Sequence, residues 1–367
     1  MRRFFTSCLF LSLAAFAQAQ IVGHIPPARS LTNLPDTVTI FIMGDVMMHA
    51  DQITNARKSD GTYSFQTYFE AMEGLIKESD LAIANMEFTL AGKPYTGYPC
   101  FSAPDGFEEY VASCGVDVFL TANNHILDKG RRGLERTLER YSKMEKAGVV
   151  KYTGTALSSE DDKGRFPLYI RVKGIKVALV NFTYGTNQEI ESPLPKVHVT
   201  DKTEIGKAIR KAREAGAEFV VALPHWGIEY ILNHSKAQGD LAKWLVASGC
   251  DAVVGAHPHV VQDSETLDGV PVVYSLGNAV SNMSAINTRI GMAVRLRIAS
   301  DRSGERRMLS PEYILTWCTR PGTLTDSYAV IPVREFIGKR DLWKNPSDYD
   351  EMIASYHRVK EKTGIVD

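Results

Sequence analysis

Side chains that can bind metal ions recur where apolar stretches of this 367-residue sequence end. The set contains Asp45, Asn85, Glu87, Asn123, Asn124, His125, His225, His257, His259 and Asn278. In open α/β sheets the carboxyl ends of the strands form the ligand crevice, so side chains from separate strands can meet in one pocket. Imidazole, carboxylate and carboxamide ligands suit Mn, Zn, Fe or a similar divalent ion, whereas a structural zinc site would need closely spaced cysteines. The pattern therefore predicts two divalent cations that clamp a phosphoryl or acyl oxygen and activate water.

Each residue of this set also has a purely structural explanation. Asp45 follows a glycine and could cap a turn, and Glu87 could be a solvated loop carboxylate. The Asn-Asn-His segment at 123–125 could form a turn and a helix N-cap. His225 lies beside Trp226, and a lone histidine in that setting is more often packed in a core than bound to a metal. The metal prediction therefore rests on the number of strand ends involved.

The segment DAVVGAHPHVVQ, residues 251–262, carries the strongest local signal. Its apolar run ends in His257 and His259, which are separated by Pro258. Alternate residues of an extended segment point the same way, and proline restricts the backbone between them. Both rings are therefore expected to project from one rigid turn.

The sequence lacks the signals of several other function classes. It has no G-x-S-x-G motif of a serine hydrolase, and Ser275 lies in an apolar strand pattern where a structural role is expected. Neither a P-loop nor a G-x-G-x-x-G motif is present, which argues against nucleotide binding. The composition, with 44% hydrophobic and 23% charged residues and a net charge of -1, is that of a globular chain without the basic surface that nucleic acids require.

The elements that must position these residues form one α/β domain over residues 37–335. Apolar strands alternate with amphipathic helices, so the sheets are expected to be covered on both faces. Helices are predicted at 65–79, 106–115, 131–147, 202–216 and 237–249, and a hairpin is predicted over Lys173 and Gly174. Residues 336–367 predict a helical C-terminal tail.

The N-terminal region predicts export of the protein. Residues 1–19 resemble a secretory signal peptide, because two arginines precede an apolar stretch and Ala17-Gln18-Ala19 supplies small residues for cleavage. Residues 20–36 predict a linker between this leader and the domain. The mature protein is expected in the periplasm or at the cell surface, with its cysteines as buried free thiols rather than disulfides.

Eight ordered motifs resemble those of the bacterial capsule-synthesis CapA family, which is linked to poly-γ-glutamate capsules and is similar in fold to the calcineurin-like metallophosphoesterases. The motifs are GDVMMH (44–49), ANMEFTL (84–90), FSAPDG (101–106), LTANNHILDKG (120–130), NFTYGTN (181–187), PHWGIEY (224–230), GAHPHVVQ (255–262) and VYSLGN (273–278). The chain departs from the wider pattern at His49, which lies four residues after Asp45, at Ile126, where phosphoesterases carry an acidic residue, and at Ala256, where the family has a histidine.

This resemblance implies an αββα fold, a layered β-sandwich flanked by helices, and it implies roles for single residues. The implied metal ligands are Asp45, Glu87, Asn124, His225, His257 and His259. His125 matches the histidine that assists the leaving group, a role worth about 10²–10⁴-fold in rate. Substrate contacts are expected from Asn85, Asn123, Tyr184, Asn187, Trp226 and Asn278.

The expected function is that of a secreted metal-dependent hydrolase, of poly-γ-glutamate type, that cleaves an amide or phosphoester bond in an envelope or capsule polymer. One alternative is a periplasmic phosphomonoesterase or phosphodiesterase. A second alternative is a non-catalytic protein that binds the polymer or helps to assemble the capsule. The expected partners are an anionic polymer or a phosphorylated small substrate, and the capsule-assembly machinery, but not nucleic acid.

Overall fold

Two large sheets are built from the apolar runs in the computed structural model, which describes residues 37–300 and 305–367. The predicted signal peptide at 1–19 and the predicted linker at 20–36 lie outside the described residues. The strands are β1 Thr37–Val46, β2 Leu81–Met86, β3 Val118–Leu120, β4 Lys151–Thr153, β5 Thr155–Ala156, β6 Leu168–Val172, β7 Ile175–Thr183, β8 Lys196–Val197, β9 Phe219–His225, β10 Ala252–Val254, β11 Ser264–Leu267, β12 Val270–Val273, β13 Asn278–Val280, β14 Ile290–Ser300, β15 Arg306–Met308, β16 Glu312–Thr319 and β17 Ala329–Pro332. The helices are α1 Ala50–Ala56, α2 Glu73–Lys77, α3 Phe107–Ser113, α4 Gly130–Lys146, α5 Ser159–Asp162, α6 Lys202–Glu214, α7 Lys236–Ala247, α8 Val333–Phe336 and α9 Pro346–Thr363.

The first sheet has nine strands and the second has six. In the first sheet the strand order is β17-β16-β14-β1-β2-β3-β4, with β13 also paired to β1 and β15 to β14. In the second sheet the order is β11-β12-β10-β9-β7-β6. Strands β1 to β4 are parallel to one another, and so are β7, β9, β10 and β12. The carboxyl ends of each parallel set therefore lie along one edge of its sheet.

The two sheets pack face to face because their strands are apolar on both faces. On β1, Ile40 and Ile42 join the core between the sheets, while Phe41 and Met43 join a second core beneath α3 and α4. The same alternation on β7 separates the core between the sheets from a third core beneath α6 and α7. The layers run helix, sheet, sheet, helix, which confirms the predicted αββα fold.

Most predicted elements are present, and one predicted helix is wrong. The hairpin of β6 and β7 turns over Lys173 and Gly174, whose φ angles of 45° and 82° suit a tight hairpin turn. The helix predicted over 65–79 is reduced to Glu73–Lys77. The preceding aromatic residues form tight turns, in which Tyr68 N donates to Phe65 O at 2.9 Å and Phe69 N donates to the Tyr110 hydroxyl at 2.9 Å.

The C-terminal helix α9 packs on the same core as the sheets. Its residues Met352, Tyr356 and Val359 belong to the cluster that contains Ile40 of β1. No helix within the described ranges combines the length and the apolar character needed to cross a bilayer. The four cysteines of the described chain, Cys100, Cys114, Cys250 and Cys318, are free thiols, as expected.

Candidate metal centre

The first sheet brings two carboxylates to one edge. Asp45, near the end of β1, is in parallel register with Asn85 of β2 and with Asn278 of β13. Glu87 follows β2 directly. Gly44 permits this arrangement because a Cβ at this position would lie 1.9 Å from the carbonyl oxygen of Gly277, which accepts a hydrogen bond from Asp45 N at 3.0 Å. Close approach of two backbones therefore fixes the position of Asp45.

The second sheet brings three imidazoles to the facing edge. His225 ends β9, and the backbone pairing continues past β10 as Ala256 N donates to Pro224 O at 3.0 Å. This pairing places the His225 and His257 rings side by side, with centroids 4.9 Å apart, and the His259 ring lies 5.9 Å beyond that of His257. Ala256, at the position where a histidine was expected, thus contributes its backbone to the alignment of the ligands.

The His-Pro-His segment forms a turn, as predicted, but its backbone is left-handed at both histidines rather than extended. His257 and His259 have φ angles of 102° and 57°, in the left-handed region that residues other than glycine rarely adopt. The carbonyl of Pro258 accepts a hydrogen bond from Tyr230 N at 2.9 Å, which holds the turn. Strained backbone of this kind persists only where the surrounding structure imposes it, and it is concentrated at functional sites.

Asp45 and His259 form a buried ion pair. The carboxylate of Asp45 accepts hydrogen bonds from Asn85 Nδ2 at 2.7 Å and from His257 N at 3.3 Å, and it lies 3.2 Å from His259 Nδ1. Burial acts to raise the pKa of Asp45, but the hydrogen bond and charge of His259 outweigh it and lower the pKa to about 2. Burial likewise opposes the charged form of His259, and its hydrogen bond with Asp45 raises the pKa of the imidazole instead.

The hydrogen bonds of His259 determine which ring nitrogen can bind a metal. Nδ1 lies 3.0 Å from Asn278 Oδ1 and 3.2 Å from the carboxylate of Asp45, so both neighbours of this nitrogen are acceptors. Nε2 is turned to the other carboxylate, 3.8 Å from Glu87 Oε1. A histidine ligand commonly donates its second N–H to such a partner, which fixes the tautomer and orients the ring.

Glu87 is the residue that most clearly requires a cation. Its side chain is fully buried, and neither carboxylate oxygen has a hydrogen-bond partner among the described residues. Burial, followed by the negative charge of Asp45, raises the pKa of Glu87 well above its usual range. His257 Nδ1 is also buried without a partner in this part of the chain. Buried polar atoms are normally paired, and buried charges normally pair or coordinate metals.

The ligand atoms fall into two groups that share Glu87. One group is Asp45, Glu87 and His225, and the other is Glu87, His257 and His259, and within each group the ligand atoms lie within 4.8 Å of one another. Asn124 Oδ1 adds a neutral oxygen 2.8 Å from His225 Nε2. Oxygen and nitrogen donors of this type suit divalent ions of the Mn, Fe and Zn class. The residues therefore fit divalent metal binding, and Glu87 belongs to both groups.

His125 lies beside this cluster and is oriented by an acid that the sequence prediction missed. His125 Nδ1 is 2.7 Å from Asp128 Oδ2, which also accepts a hydrogen bond from Phe101 N at 2.7 Å. His125 Nε2 faces Glu87 Oε1 at 4.0 Å. Phosphoesterases carry an acidic residue at the position of Ile126. In this chain Asp128, two residues further on, supplies an acidic group instead. The spacing of three residues across a tight turn was the signal that could have identified Asp128.

The residues predicted to contact substrate divide into two groups. Asn187 lines the pocket over the metal ligands, and half-exposed Tyr184 packs against the His257 ring at a centroid distance of 4.5 Å. Asn85 is buried, with its Nδ2 hydrogen bonded to Asp45. Asn123 and Asn278 are also buried: Asn123 Nδ2 donates to Met86 O at 2.9 Å, and Asn278 Nδ2 donates to Thr288 O at 2.9 Å. These three asparagines position the ligands and do not offer the predicted substrate contacts.

Trp226 is the clearest error among the predicted site residues. Its indole is buried in the core beneath α6 and α7, and Nε1 donates to the carbonyl oxygen of Tyr274 at 2.8 Å. A Cβ on Gly255 would lie 2.2 Å from this nitrogen, so the glycine leaves room for the indole. Strand alternation explains the error, because His225 points toward the metal cluster and the next residue points to the opposite face.

The metal pocket is an open cavity of about 340 Å³ above the cluster. Residues that the sequence prediction did not assign form part of its wall, namely Met47, His49, Tyr98, Pro99, Cys100, Asp128, Gln188, Glu229, Tyr230 and Met283. Burial lowers the pKa of His49 to about 4, and its Nδ1 lies 3.1 Å from Gln52 Oε1. His49 therefore forms a neutral wall of the pocket and lies outside both ligand groups.

Comparison with known sequences points to one family. Residues 39–283 match the profile of the family described as "Bacterial capsule synthesis protein PGA_cap". The chain is similar to "Capsule biosynthesis protein CapA" of Bacillus anthracis, with 26% identity over a 367-residue alignment that covers 95% of this chain and 85% of that protein. It is also similar to "PGA biosynthesis protein CapA" of Bacillus subtilis strain 168, with 26% identity over 309 residues, 81% of this chain and 76% of that protein.

Comparison with solved structures identifies the fold. The structure of a protein titled "Putative 5'-Nucleotidase from Staphylococcus aureus in complex with alpha-ketoglutarate" superposes with a TM-score of 0.50 and 14% identity. The match covers 76% of this chain and 54% of that one, so this chain spans little more than half the length of that protein. At this level of identity the likeness concerns the fold alone.

Proposed function

Because this chain belongs to the bacterial capsule synthesis family that its residues 39–283 match, we propose that it is a metal-dependent hydrolase of an envelope or capsule polymer. The observation that carries the proposal is the buried carboxylate of Glu87, neither of whose oxygens has a hydrogen-bond partner among the described residues. Its Oε1 lies 3.6 Å from His225 Nε2 and 3.8 Å from His259 Nε2. A protein that used this fold only as a scaffold would gain nothing from burying an unpaired carboxylate beside three imidazoles, because that arrangement costs folding free energy.

The ligands of the metal would be Asp45, Glu87, His225, His257 and His259. A divalent cation held by such residues supplies Lewis-acid activation of water and of the attacked group. The remaining residues of the pocket would orient the substrate and exclude solvent from the cluster.

Proton transfer to the leaving group is assigned to His125. Asp128 Oδ2 lies 2.7 Å from Nδ1 of this ring and orients it, while Nε2 faces the cluster. In hydrolysis of an amide, water adds to the carbonyl carbon, the C–N bond breaks, and His125 gives its Nε2 proton to the departing nitrogen. Replacement of His125 by alanine is expected to lower kcat by about 10²–10⁴-fold. Metal content, measured by elemental analysis, is expected to stay unchanged.

The proposal is tested by reconstitution of the full-length protein. The chain is stripped with a chelator, reloaded with Mn, Zn or Fe, and assayed on γ-linked glutamyl peptides and on aryl phosphates. Hydrolysis of the γ-glutamyl peptides supports the proposal, whereas turnover of the aryl phosphates alone would assign a phosphoesterase. Tight binding of polymer without turnover of either substrate would assign a non-catalytic capsule protein. The same assay is applied to the variant Glu87→Gln. Its control is Glu361→Gln, which changes an exposed carboxylate of α9.

Export is a further part of the proposal. It rests on the leader-like sequence of residues 1–19, and it places the enzyme in the periplasm or at the cell surface, where envelope polymers are found. Mass spectrometry of the mature N-terminus tests this point, because cleavage after Ala19 is the expected result. A mature chain that retains its first residue would contradict it.

A further inference from the structure

We propose that the protein has a second binding site, a basic cavity beside the metal pocket that holds acidic groups of a polymeric substrate. This basic cavity has a volume of about 630 Å³ and is lined by Ile53, Thr54, Arg57, Gly61, Tyr63, Lys93, Pro94 and Tyr95. The inference extends the proposed function, on which it depends for placing the reacting bond in the metal pocket.

The charges of the basic cavity are available to a ligand. Arg57 and Lys93 are both exposed, and neither forms an ion pair with another residue of the described ranges. Its lining includes no carboxylate. Asp60 is close in sequence, but its Oδ1 accepts hydrogen bonds from Thr62 N at 2.9 Å and Thr62 Oγ1 at 2.6 Å. The charge of Lys93 acts on Asp105, but that carboxylate is itself hydrogen bonded to Arg136 through both oxygens. Neither cation of the basic cavity is therefore held in a close ion pair, and both can meet anionic groups from solution.

The metal pocket has the opposite charge pattern. Its lining includes the carboxylates of Asp128 and Glu229, and no lysine or arginine. Any acidic group of the substrate other than the one at the metal would therefore meet like charge within the metal pocket. Such groups are accommodated better outside it, and the basic cavity offers the fixed positive charge that the metal pocket lacks.

The same two segments form walls of both cavities. His49, which immediately precedes α1, lines the metal pocket, and Arg57, which follows α1, lines the basic cavity. Residues 93–95 line the basic cavity and residues 98–100 line the metal pocket. Between them the loop is pressed against α1 at Gly97, where a Cβ would lie 2.3 Å from Ala50 N. The two cavities are thus held at a fixed separation, and a ligand that joins them passes along the solvent side of this crossing.

The separation sets the size of the ligand. Eight residues separate His49 from Arg57, which corresponds to about 12 Å along a helix that rises 1.5 Å per residue. An α-linked peptide covers about 3.3–3.6 Å per residue when extended. A γ-linked glutamate has five chain atoms per residue instead of three, so its extended repeat is about five-thirds as long, and about two or three residues reach from one cavity to the other. Tyr98, on the crossing and 74% exposed, offers a ring surface along this path. The ligand class is therefore a polyanion with several repeating acidic units, and a single small acid cannot occupy both cavities.

The test measures binding to the full-length protein in the presence of a chelator, so that turnover does not occur. The probes are γ-linked glutamate oligomers of increasing length and polyphosphate of matched charge. Affinity for the glutamate oligomers is expected to rise once the oligomer exceeds about two or three residues. The double variant Arg57→Gln, Lys93→Gln is expected to bind the long oligomer about fivefold to tenfold more weakly at low salt, with a smaller difference at high salt.

The control is Arg210→Gln, Lys243→Gln, which removes the same two charges from exposed positions on α6 and α7. It is expected to bind like the unmodified protein. If both double variants lose the same affinity for the long oligomer, or if Arg57→Gln, Lys93→Gln loses none, the proposal of the basic cavity is wrong. Tighter binding of glutamate than of polyphosphate assigns the cavity to carboxylates, and the reverse assigns it to phosphates.

The two proposals fail in distinguishable ways. If the protein binds the long oligomer through Arg57 and Lys93 but does not hydrolyse it, the proposed hydrolase activity is refuted and the proposal of the basic cavity is retained. If the protein hydrolyses the oligomer but its affinity for the oligomer is unchanged by the substitutions of Arg57 and Lys93, only the proposal of the basic cavity is refuted. Thermal melting of each variant, expected to match that of the unmodified chain because the changed side chains are exposed, verifies folding.

Discussion

The two sheets make different contributions to the metal centre. The nine-stranded sheet supplies the carboxylates of Asp45 and Glu87, and the six-stranded sheet supplies the imidazoles of His225, His257 and His259. Each of the two ligand groups combines residues from both sheets. Neither sheet alone could hold a metal ion, so the centre exists only where the sheets are packed together.

The two contributions also differ in backbone geometry. Asp45 sits on β1 at a point where the register with β2 and β13 shifts, but its φ angle is not left-handed, and Glu87 directly follows β2. His257 and His259 lie in a turn with φ angles of 102° and 57°. Packed strands place the carboxylates with ordinary conformations, whereas strained backbone places these two imidazoles. This difference indicates that the site has a regular half that the fold determines and an irregular half that its own contacts maintain.

The largest effect is expected from the residue that both ligand groups share. Glu87→Gln keeps the shape of the side chain but removes the charge that the two groups have in common. Metal affinity is expected to fall by more than about 100-fold, because loss of even a supporting residue around a metal costs about 10–100-fold. Elemental analysis after dialysis is the measurement, with Glu361→Gln as the control. Retention of the full metal content would show that the groups do not depend on Glu87.

The next effect separates the two ligand groups. His225→Ala removes a ligand from the group with Asp45, and His257→Ala removes one from the group with His259. Because only one group is damaged in each variant, each should lose about half of the metal bound per chain while the double variant loses all of it. Titration of the metal-free proteins measures this stoichiometry. Complete loss in both single variants would mean that the protein has one shared site rather than two.

A smaller effect is expected where one sheet supports a ligand of the other. Asn278 lies on β13 in the first sheet, and its Oδ1 is 3.0 Å from Nδ1 of His259, a ligand supplied by the second sheet. Asn278→Ala frees the ring to rotate, so metal affinity should fall by about 10–100-fold. Asn278→Asp retains an acceptor at the same position and should bind metal more tightly than the alanine variant. Equal metal affinities of the Asn278→Ala and Asn278→Asp variants would show that Asn278 does not support His259.

The smallest effect concerns the pH dependence of stability without metal. The pKa of Glu87 is raised, so the metal-free folded chain holds a proton above pH 4.5 that the unfolded chain has lost, and its stability falls as pH rises toward the pKa of the folded state. The slope is at most about 1.4 kcal/mol per pH unit. Relative to wild type, Glu87→Gln in chelator should gain stability as pH rises, measured by thermal melting.

The buried histidines change stability with pH in the opposite direction to Glu87. Burial lowers the pKa of His257 to about 3 and that of His225 well below its usual value, so both raise stability as pH increases toward 6.5. Below its raised pKa the Glu87 carboxyl is uncharged, as the amide of Gln is, so the histidines meet the same charge in both proteins and the difference between the proteins isolates the carboxylate. A constant difference across the pH range would mean that Glu87 has a partner in the metal-free protein.

The regular half of the site could be predicted from the sequence, and much of the irregular half could not. Strand ends are visible as apolar runs that stop, so the pattern of apolar residues is enough to place Asp45 and Glu87 at one edge of a sheet. The left-handed turn at His257 depends on a contact with Tyr230, which is distant in sequence. The hydrogen bond from His125 to Asp128 spans only three residues, and a sequence motif does not show whether a turn brings the two side chains together. Trp226 was misassigned because the sequence motif shows adjacency, whereas strand alternation sends its side chain away from His225.

The pairing of β1 determines when the site can form during folding. Thr37 is in register with Ala299 on β14, and Asp45 N donates to Gly277 O, so the first ligand depends on residues more than 230 positions away. Folding that relies on such distant pairings is slow, because long loops must close first. If the chain crosses a membrane unfolded, as export through a secretory signal implies, Asp45 and Glu87 cannot select an ion during synthesis. The ion supply of the compartment where β1 and β14 finally pair, rather than that of the cytoplasm, would then decide which metal the protein carries.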